Sequence, residues 1–483
     1  MIKCKSVSRK LYLCSVNWKG NMRKLSIILI LWSVMLSAHE SDVAEDIKRI
    51  GLPVLDIQTV DGELPTFEMA ESPEGALGLS IKNATKVPGR LRIYIQGETI
   101  YDSGDYTEKN GGMTIRVRGN TSAYPDKKPY KIKLRQAADL LRRGNDEKYQ
   151  DKNWLLLRED RLNSLIGFKM NELVGLQWTP AYEYVNVLLN GDYIGVYMLV
   201  ESVRRNEDCR LNVDETGFIF EYDPYWWNEE VYVESPTIPW VLHYTFKYPD
   251  TDDLTEDVIS YFTDMITRVE YSLKDGTYPD YIDVESFALW MLGHDILGNS
   301  DGAGANFYLT KKDNTENSKV MMANLWDFDR IMNTKDEWDA MHTRFYYEYL
   351  FTDNENGEFV ETYKNKWIEL SPAIFSNMLD YLDRFAMSEE GKALDESIVL
   401  NNKRWNDDAE DVQYYVERAK DWFVSRRHWL SEAIVGEDFV DGIKHTRAVD
   451  DGHHGDYYNI YGQRVKTHRP GIFIRQGKKY IIK

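Results

Sequence analysis

The sequence predicts an α+β fold of two lobes, in which a strand-rich N-terminal part precedes a helix-rich C-terminal part. Residues 52–134 contain short runs of alternating apolar and polar residues, separated by Gly, Pro, Asp and Asn, which indicates antiparallel strands. Beyond about residue 252 apolar residues recur at helical spacing, and long helical stretches continue to about Ile434. Strands followed by helices, with one hairpin near the boundary, favour an α+β arrangement. Residues 440–483 add a small β tail of two or three predicted strands.

The strand-rich part can be followed element by element. Its predicted strands are VLDIQTV, LGLSIKN, RLRIYIQ, MTIRVRG and KKPYKIKL, and NWLLL follows them. The next stretch, 162–174, has the apolar spacing of a helix. The clearest hairpin lies at 184–201, because two apolar-rich strands flank Asn190-Gly191, the dipeptide that most favours a tight turn.

The helix-rich part begins with a capped helix. Asp283 is the predicted N-cap, and the apolar residues that follow it at near-helical spacing are Phe287, Trp290, Met291 and Ile296. Residues 306–332 interrupt the helices with a predicted hairpin, NFYLTKK paired with KVMMANLWDFD.

Residues 22–38 have the organisation of a signal peptide. Arg23 and Lys24 precede an apolar run that ends in small residues, and this run is too short to span a bilayer comfortably. We therefore expect an exported protein whose true start is Met22, with residues 1–21 arising upstream of it. A short buried helix is the alternative interpretation. No later stretch is long and apolar enough to cross a membrane.

Charge and cysteine content narrow the function classes. The formal net charge is −20 over 483 residues, and without residues 1–38 the chain carries 52 basic against 79 acidic residues. Such a surface repels phosphate backbones, so no nucleic-acid partner is expected. After residue 38 Cys209 is alone, which leaves neither an internal disulfide nor a thiolate metal cluster. The fold must hold by packing.

A basic cluster stands out against this acidic background. Arg116 and Arg118 share one face of a predicted strand, and Lys131 and Lys133 share one face of the next. With Gly119 allowing close approach of the backbone, these cations could hold an oligophosphate. A solvated strand face with lysines protecting its edge is the equally weighted alternative.

Two polar segments further on follow the order of a kinase active site. In the loop NSDGAGAN, Asp301 and Asn306 reproduce the D-x-x-x-x-N spacing in which the Asp accepts the substrate hydroxyl proton and the Asn binds metal. Asp327 and Asp329 of WDFD end the following predicted strand and offer oxygen ligands suited to Mg²⁺ or Mn²⁺. An ordinary polar turn and an acidic strand end are the alternatives.

Other candidate motifs provide weaker evidence for a function. His294-Asp295 superficially imitates the start of an HRD motif but lies within a predicted helix, which favours a packed or capping histidine. His453-His454 fit a linker better than a metal site. No G-x-G-x-x-G loop is present, so the usual phosphate lid of protein kinases is missing.

Together the motifs resemble the CotH family, the spore coat protein H-like atypical kinases. The resemblance covers about residues 54–333, and more weakly the chain to about 434, within a predicted domain of residues 50–436 that includes a β-rich region at 50–118. The matching blocks, in the family's order, are RVRGNTSAYPDKKPYKIKL, NWLLL, VNVLLNGDYIGVYMLVES, GFIFEYD, FKYPD, YIDVESFALWMLGHDILGNSDGAGANFYLTKK and LWDFDRIMN. The glycine-rich SDGAGANF and the RIMN that follows WDFD depart from the family's pattern.

The resemblance implies a two-lobed kinase-like fold that binds ATP with Mg²⁺ or Mn²⁺ and phosphorylates a protein substrate. It implies that Asp301 is the catalytic residue. It implies metal binding by Asn306, Asp327 and Asp329. It implies nucleotide binding by Arg118, by Lys131 or Lys133, and by Glu201.

Alternatives to an active kinase remain open at this point. A catalytically inactive pseudokinase or surface-binding protein fits the same blocks, as does a transferase of AMP on the same scaffold. Residues 440–483 resemble tails of exported proteins of certain Gram-negative bacteria, which suggests sorting or attachment to the cell surface.

Overall fold

A computed structural model describes residues 46–47, 49–76, 78–144, 147–159, 161–238, 242–302, 306–333, 341–352 and 357–436, with the backbone of four short strands between 457 and 482. The helices are α1 (Asn163–Val174), α2 (Glu256–Asp275), α3 (Val284–Leu297), α4 (Phe345–Thr352), α5 (Glu358–Met387), α6 (Glu389–Trp405) and α7 (Val412–Val435). The strands before the tail are β1 (Val54–Thr59), β2 (Glu68–Glu71), β3 (Leu79–Lys82), β4 (Val87–Ile95), β5 (Glu98–Asp102), β6 (Met113–Val117), β7 (Tyr130–Ala138), β8 (Asp151–Leu157), β9 (Tyr182–Leu189), β10 (Asp192–Glu201), β11 (Phe218–Asp223), β12 (Tyr232–Glu234), β13 (His243–Tyr248), β14 (Phe307–Lys311) and β15 (Val320–Met322). The mixed α+β prediction, with strands first and helices after, is confirmed.

The N-terminal strands form a sheet that closes on itself. Its order is β1-β9-β10-β8-β7-β6-β4-β5, and β1 also pairs with β4. The closure depends on β1, which runs antiparallel to β4 and parallel to β9. Alternate residues of these strands, among them Leu91, Ile115, Trp154 and Tyr197, build one buried apolar cluster. This closed arrangement positions the ends of β6 and β8 at the cleft described below.

The predicted hairpin is formed by β9 and β10. Asn190 and Gly191 both have positive φ, 53° and 85°, as a primed two-residue turn requires. The Asn190 side chain also accepts a hydrogen bond from the main-chain N–H of Thr59 at 2.8 Å, so the turn is tied to β1 as well.

A second sheet carries the other wall of the cleft. Its order is β12-β13-β11-β14-β15. Helix α3 lies against it and is buried along nearly its whole length, in contact with α1, α5 and α7. Asp283 caps α3 as predicted, accepting a hydrogen bond from the N–H of Ser286 at 2.7 Å. The loops after α3 and after β15 therefore start from a rigid base.

The segment after β15 differs from the prediction. That strand ends at Met322, whereas WDFD was expected to end it. Asp327 instead lies in an irregular segment and has a left-handed φ of 61°. The shorter strand leaves room for this segment to bend along the cleft.

The tail also differs in detail. It contains four strands rather than two or three: β16 (Tyr457–Asn459), β17 (Arg464–Val465), β18 (Gly471–Arg475) and β19 (Lys478–Ile482), in the order β17-β16-β18-β19. The predicted signal peptide, Met22 and His453-His454 lie outside the described residues. Within the described part of the chain, no helix combines the length and apolar character needed to cross a membrane.

Candidate active site

A cleft of about 390 Å³ lies where the ends of β6 and β8, the start of α1 and the loops after α3 and β15 meet. Five of the side chains singled out in the sequence line it together: Arg118, Asp301, Asn306, Asp327 and Asp329. They come from segments that are up to about 200 residues apart in the chain. The fold therefore assembles most of the predicted cluster.

Asn306 and Asp327 are in direct contact. The Asn306 side-chain amide donates a hydrogen bond to a carboxylate oxygen of Asp327 at 3.2 Å. Burial, and then the negative charges of Asp329 and Asp301, raise the pKa of Asp327 to about 6, while the Asp329 N–H and Arg118 oppose this shift. Asp301 and Asp329 thus lie close enough to Asp327 to repel its charge, and a cation bound by Asp327 would relieve this repulsion.

Asp301 is open to solvent at the cleft. Its side chain is about half exposed and lies 3.6 Å from the guanidinium of Arg330. Its main-chain N–H donates to the buried side chain of Asn299 at 3.1 Å. Exposure leaves the Asp301 carboxylate accessible to a group entering from solvent.

Arg118 adds positive charge to the lining of the cleft. Its side chain is partly buried, and no described residue forms a hydrogen bond or ion pair with its guanidinium. Burial lowers the pKa of Arg118, partly offset by Tyr308, Asp327 and Glu221. A guanidinium held in this way is well suited to bind phosphate oxygens.

Phe328 fixes the position of the neighbouring Asp327 by packing against α1. Its ring packs edge-on against Phe168 of α1, with ring centres 5.3 Å apart. It also lies directly over Gly167, where a Cβ atom would collide with the ring. The acidic segment is thereby attached to the helix that flanks the cleft.

A model of the family described as CotH kinase protein matches residues 115–430, about two thirds of the chain. The chain belongs to the CotH kinase family. No match is found among curated proteins. The matched range begins within β6 and ends within α7, and it includes every cleft residue singled out in the sequence.

Within this CotH region the two predicted lysines are placed differently from one another. Lys131 is partly buried, while Lys133, two residues along β7, is exposed. Burial, and then the positive charges of Arg116, Arg204, Arg118 and Lys247, lower the pKa of Lys131 to about 7. Neither lysine lines the cleft itself, but Lys131 is electrostatically coupled to Arg118, which does.

Glu201 is placed apart from the cleft. It is 1% exposed, and its carboxylate binds Arg143 at 2.9 Å and lies 4.0 Å from Arg210. It also accepts a hydrogen bond from the N–H of Ala181 at 3.0 Å. These contacts join β10 to its neighbours, and none of them reaches the cleft.

His294 is packed, as expected. Its ring is fully buried against Trp290, with centres 4.1 Å apart, and lies where a Cβ atom on Gly302 would come within 2.6 Å. Neither ring nitrogen forms a hydrogen bond with a described residue, and burial lowers the pKa of His294 to about 3. The histidine therefore supports the loop of Asp301 as a neutral ring.

The structure adds residues that sequence reasoning missed. Lys247 of β13 forms an ion pair at 2.9 Å with Glu221, which lines the cleft. Asn299 bridges the loops of Asp301 and Asp327. Arg158, at the end of β8, lines the cleft and a second cavity beside it. Lys247 lies in the FKYPD segment of the matching blocks, and Asn299 lies in the GNSDG segment. Their position in these blocks was the only feature of the sequence that could have identified them as site residues.

The metal-binding potential rests on a small donor set. Among the described residues, no group of three or more His, Cys, Asp or Glu side chains is arranged to hold an ion. Asp327 with the Asn306 amide provides one carboxylate and one amide oxygen. This set fits Mg²⁺ or Mn²⁺, which proteins commonly bind through one or two carboxylates together with substrate phosphates.

Proposed function

We propose that the protein is an exported atypical protein kinase that transfers the γ-phosphoryl group of ATP to a Ser, Thr or Tyr hydroxyl of another protein. The single observation that carries this proposal is the convergence of Asp301, Asn306 and Asp327 on one cleft that Arg118 also lines. Membership of the CotH kinase family supports the same reaction class. On this proposal the two sheets and the helices act as the lobes of a kinase-like fold.

Each residue of the cleft has a separate role in the proposed reaction. Arg118 binds the phosphates, and Lys131 adds positive charge from the neighbouring strand. Asn306 and Asp327, with Asp329 beside them, would hold Mg²⁺ or Mn²⁺, which neutralises charge on the phosphates when bound. The half-exposed Asp301 orients the acceptor hydroxyl and takes its proton. The acceptor oxygen bonds to the γ-phosphorus as the bond to the ADP oxygen breaks.

The first experiment separates binding from transfer. The purified full chain is heated with ATP and Mn²⁺ beside its Asp327→Ala variant, and a protein target incubated with both is analysed by mass spectrometry. We expect metal-dependent stabilisation by ATP in the wild type, its loss in Asp327→Ala, and addition of one phosphoryl group to the target. Addition of AMP would assign the scaffold to adenylyl transfer, and no ATP-dependent shift would identify a non-catalytic binding protein.

Asp301→Ala provides the matched comparison. Because the side chain is exposed and its main-chain contacts remain, we expect the variant to fold and to keep the ATP-dependent stabilisation while losing phosphoryl transfer. Retained transfer of the radiolabelled γ-phosphoryl group by this variant would reject the assignment of Asp301.

Metal binding by this site should depend on pH. With a pKa of about 6, Asp327 is ionised at pH 7 and increasingly protonated below pH 6. Since the metal competes with the proton, the affinity for Mn²⁺ should weaken up to about tenfold for each pH unit below 6.

Export and attachment complete the proposal. The signal-like residues 22–38 would direct the chain out of the cytoplasm, and the β tail at 440–483 would serve sorting or attachment to the cell surface. Fractionation of cells that express the chain with and without each segment tests both. A chain that stays in the cytoplasm with residues 22–38 present would contradict the proposed export.

A further inference from the structure

A second cavity, of about 530 Å³, adjoins the cleft. Arg158 and Asp329 line both spaces, so the two cavities lie side by side and share these side chains. The far walls come from the segment before α1 and from the end of α6. Of the residues that line it, only Asp329 was singled out in the sequence. A reaction with two substrates needs a second place for binding, and this cavity adjoins the proposed phosphoryl-transfer site.

Arg158 stands out within these walls. Its side chain is partly buried, and no described residue forms a hydrogen bond or ion pair with it. The neighbouring charged groups are engaged elsewhere. Arg161 binds Asp407 at 2.7 Å, and the Glu159 carboxylate accepts the N–H groups of Arg161 and Ser164 at 2.8 Å each. A partly buried guanidinium that forms no ion pair with a described residue can bind a carboxylate or phosphate from outside the chain.

The remaining walls suit a polypeptide. Asn163 begins α1, and Asn406 follows α6 with a left-handed φ of 50°. Both side-chain amides line the cavity and form no hydrogen bond with described residues, so they can pair with the main chain of a bound peptide. The Trp405 indole, anchored by its N–H to the carbonyl oxygen of Ile194 at 3.1 Å, adds an apolar surface beside them.

The cavity also limits how much negative charge it accepts. Asp126 and Asp329 line it and are exposed. They would repel a run of acidic residues, whereas one carboxylate placed at Arg158 would be attracted. The pattern of charges therefore favours a single acidic residue at one position.

We propose that this cavity binds the acceptor polypeptide, and that Arg158 selects a single acidic residue close to the acceptor hydroxyl. The inference rests on the proposed function, because it takes the acceptor hydroxyl to enter the cleft beside Asp301. Arg158 acts here as a specificity-determining residue.

The test compares peptides within each enzyme. Serine peptides carry one Glu, or one Lys, at each position flanking the serine, and kcat/KM is measured with ATP and Mn²⁺ for wild type and for Arg158→Glu. We expect wild type to favour the Glu peptide by about tenfold at one position, and Arg158→Glu to favour the Lys peptide there. A general loss of activity cancels in this ratio. The control is Lys152→Glu, an equal charge change at an exposed residue of β8 that lines neither cavity, and it should keep the wild-type ratio.

A second measurement separates this inference from the proposed reaction. Binding of the same peptides, labelled with a fluorophore, is measured by anisotropy without ATP. Tighter binding of the Glu peptide that Arg158→Glu abolishes would support the cavity even if no phosphoryl transfer occurred. Transfer with the same peptide ratio in wild type and Arg158→Glu would overturn the role of Arg158 while leaving the kinase reaction in place. Equal binding of Glu and Lys peptides by the wild type would also overturn it.

Discussion

The side-chain amide of Asn299 donates a hydrogen bond to the main-chain carbonyl oxygen of Asp327 at 2.8 Å. The same side chain accepts the main-chain N–H of Asp301 at 3.1 Å, so one residue sets the spacing between the two loops. Asn299 is only 3% exposed, and the residue it binds has the left-handed φ described above. The relative position of the proposed base and the proposed metal ligand thus depends on this buried amide.

Asn299→Ala should therefore lower kcat more than it lowers ATP binding. The change leaves the Asp327 carbonyl and the Asp301 N–H without their partner, and we expect about 1–3 kcal/mol of lost stability. Small displacements of reacting groups are costly, so kcat should fall by about 10- to 100-fold. Steady-state kinetics and urea unfolding measure the two effects.

Asn206→Ala is the control for that experiment. Asn206 likewise accepts main-chain N–H groups, those of Asp208 and Cys209, but it does not line the cleft. It should lower stability and leave kcat nearly unchanged. Equal kcat values for the two variants would mean that the Asn299 bridge does not position the reacting groups.

Lys131 and Lys133 should differ in their effect on ATP binding. With a pKa near 7, Lys131 is partly neutral at neutral pH, and a bound triphosphate would favour its protonated form. ATP binding should then take up protons and tighten as the pH falls from 8.5 to 6.5. Lys131→Met should remove this pH dependence and weaken ATP about tenfold.

Calorimetry in buffers of different ionisation enthalpy measures the proton uptake directly. Lys133→Met is the matched variant, since it removes the exposed amine two residues along the same strand. We expect it to keep the wild-type affinity and proton uptake. The reverse pattern would assign the phosphate contact to Lys133.

Local features of the fold could be predicted because nearby residues determine them. The Asn190-Gly191 turn and the Asp283 cap depend on backbone preferences within a few positions, and the structure contains both. The spacing of Asp301 and Asn306 likewise identified a loop that lies in the cleft.

Long-range features could not be predicted in this way. The parallel pairing of β1 with β9 closes the first sheet, yet neither strand's sequence specifies its partner. Arg158 follows an apolar strand and belongs to no motif, and only the approach of α6 makes it part of a cavity wall. Lys131 and Lys133 had the same predicted face, but packing partly buries Lys131 and leaves Lys133 exposed.

Gly167→Ala should displace the acidic segment through Phe328. Replacing Gly by Ala inside an exposed helix normally stabilises it by about 1 kcal/mol. Here the added methyl group would meet the Phe328 ring, so we expect a net loss of about 1–3 kcal/mol and weaker Mn²⁺-dependent stabilisation by ATP. Thermal unfolding with and without Mn²⁺ and ATP measures both effects.

A second change should relieve this collision. Phe328→Leu makes room for the methyl group, so the double variant should bind Mn²⁺ and ATP better than Gly167→Ala alone. Gly51→Ala is the control, because a Cβ atom there meets only an ordinary contact at 3.5 Å. If Gly167→Ala behaves like Gly51→Ala, the contact with Phe328 does not hold the segment in place.

His294→Leu should stabilise the protein at acidic pH. The unfolded chain protonates this histidine near pH 6.5, whereas burial keeps the folded-state pKa at about 3. The wild type therefore loses stability as the pH falls below 6.5, by about 1.4 kcal/mol for each pH unit until about pH 3. Leucine removes this loss, and since neither ring nitrogen is hydrogen-bonded to a described residue, the change leaves no partner among those residues unsatisfied. Urea unfolding should show similar stabilities at pH 7.5 and an advantage of about 2 kcal/mol for the variant at pH 5.

The exposed His428 is the control residue for the stability prediction. Turnover measurements test whether His294 also has a role in function. His428 lies 3.4 Å from Glu432 on the surface of α7, so His428→Leu should show no such advantage at pH 5. Because His294 supports the loop only as a neutral packed ring, His294→Leu should also keep most of the wild-type turnover at pH 7.5. Loss of turnover with preserved stability would instead give His294 a chemical role beside Asp301, since packing alone would then be intact.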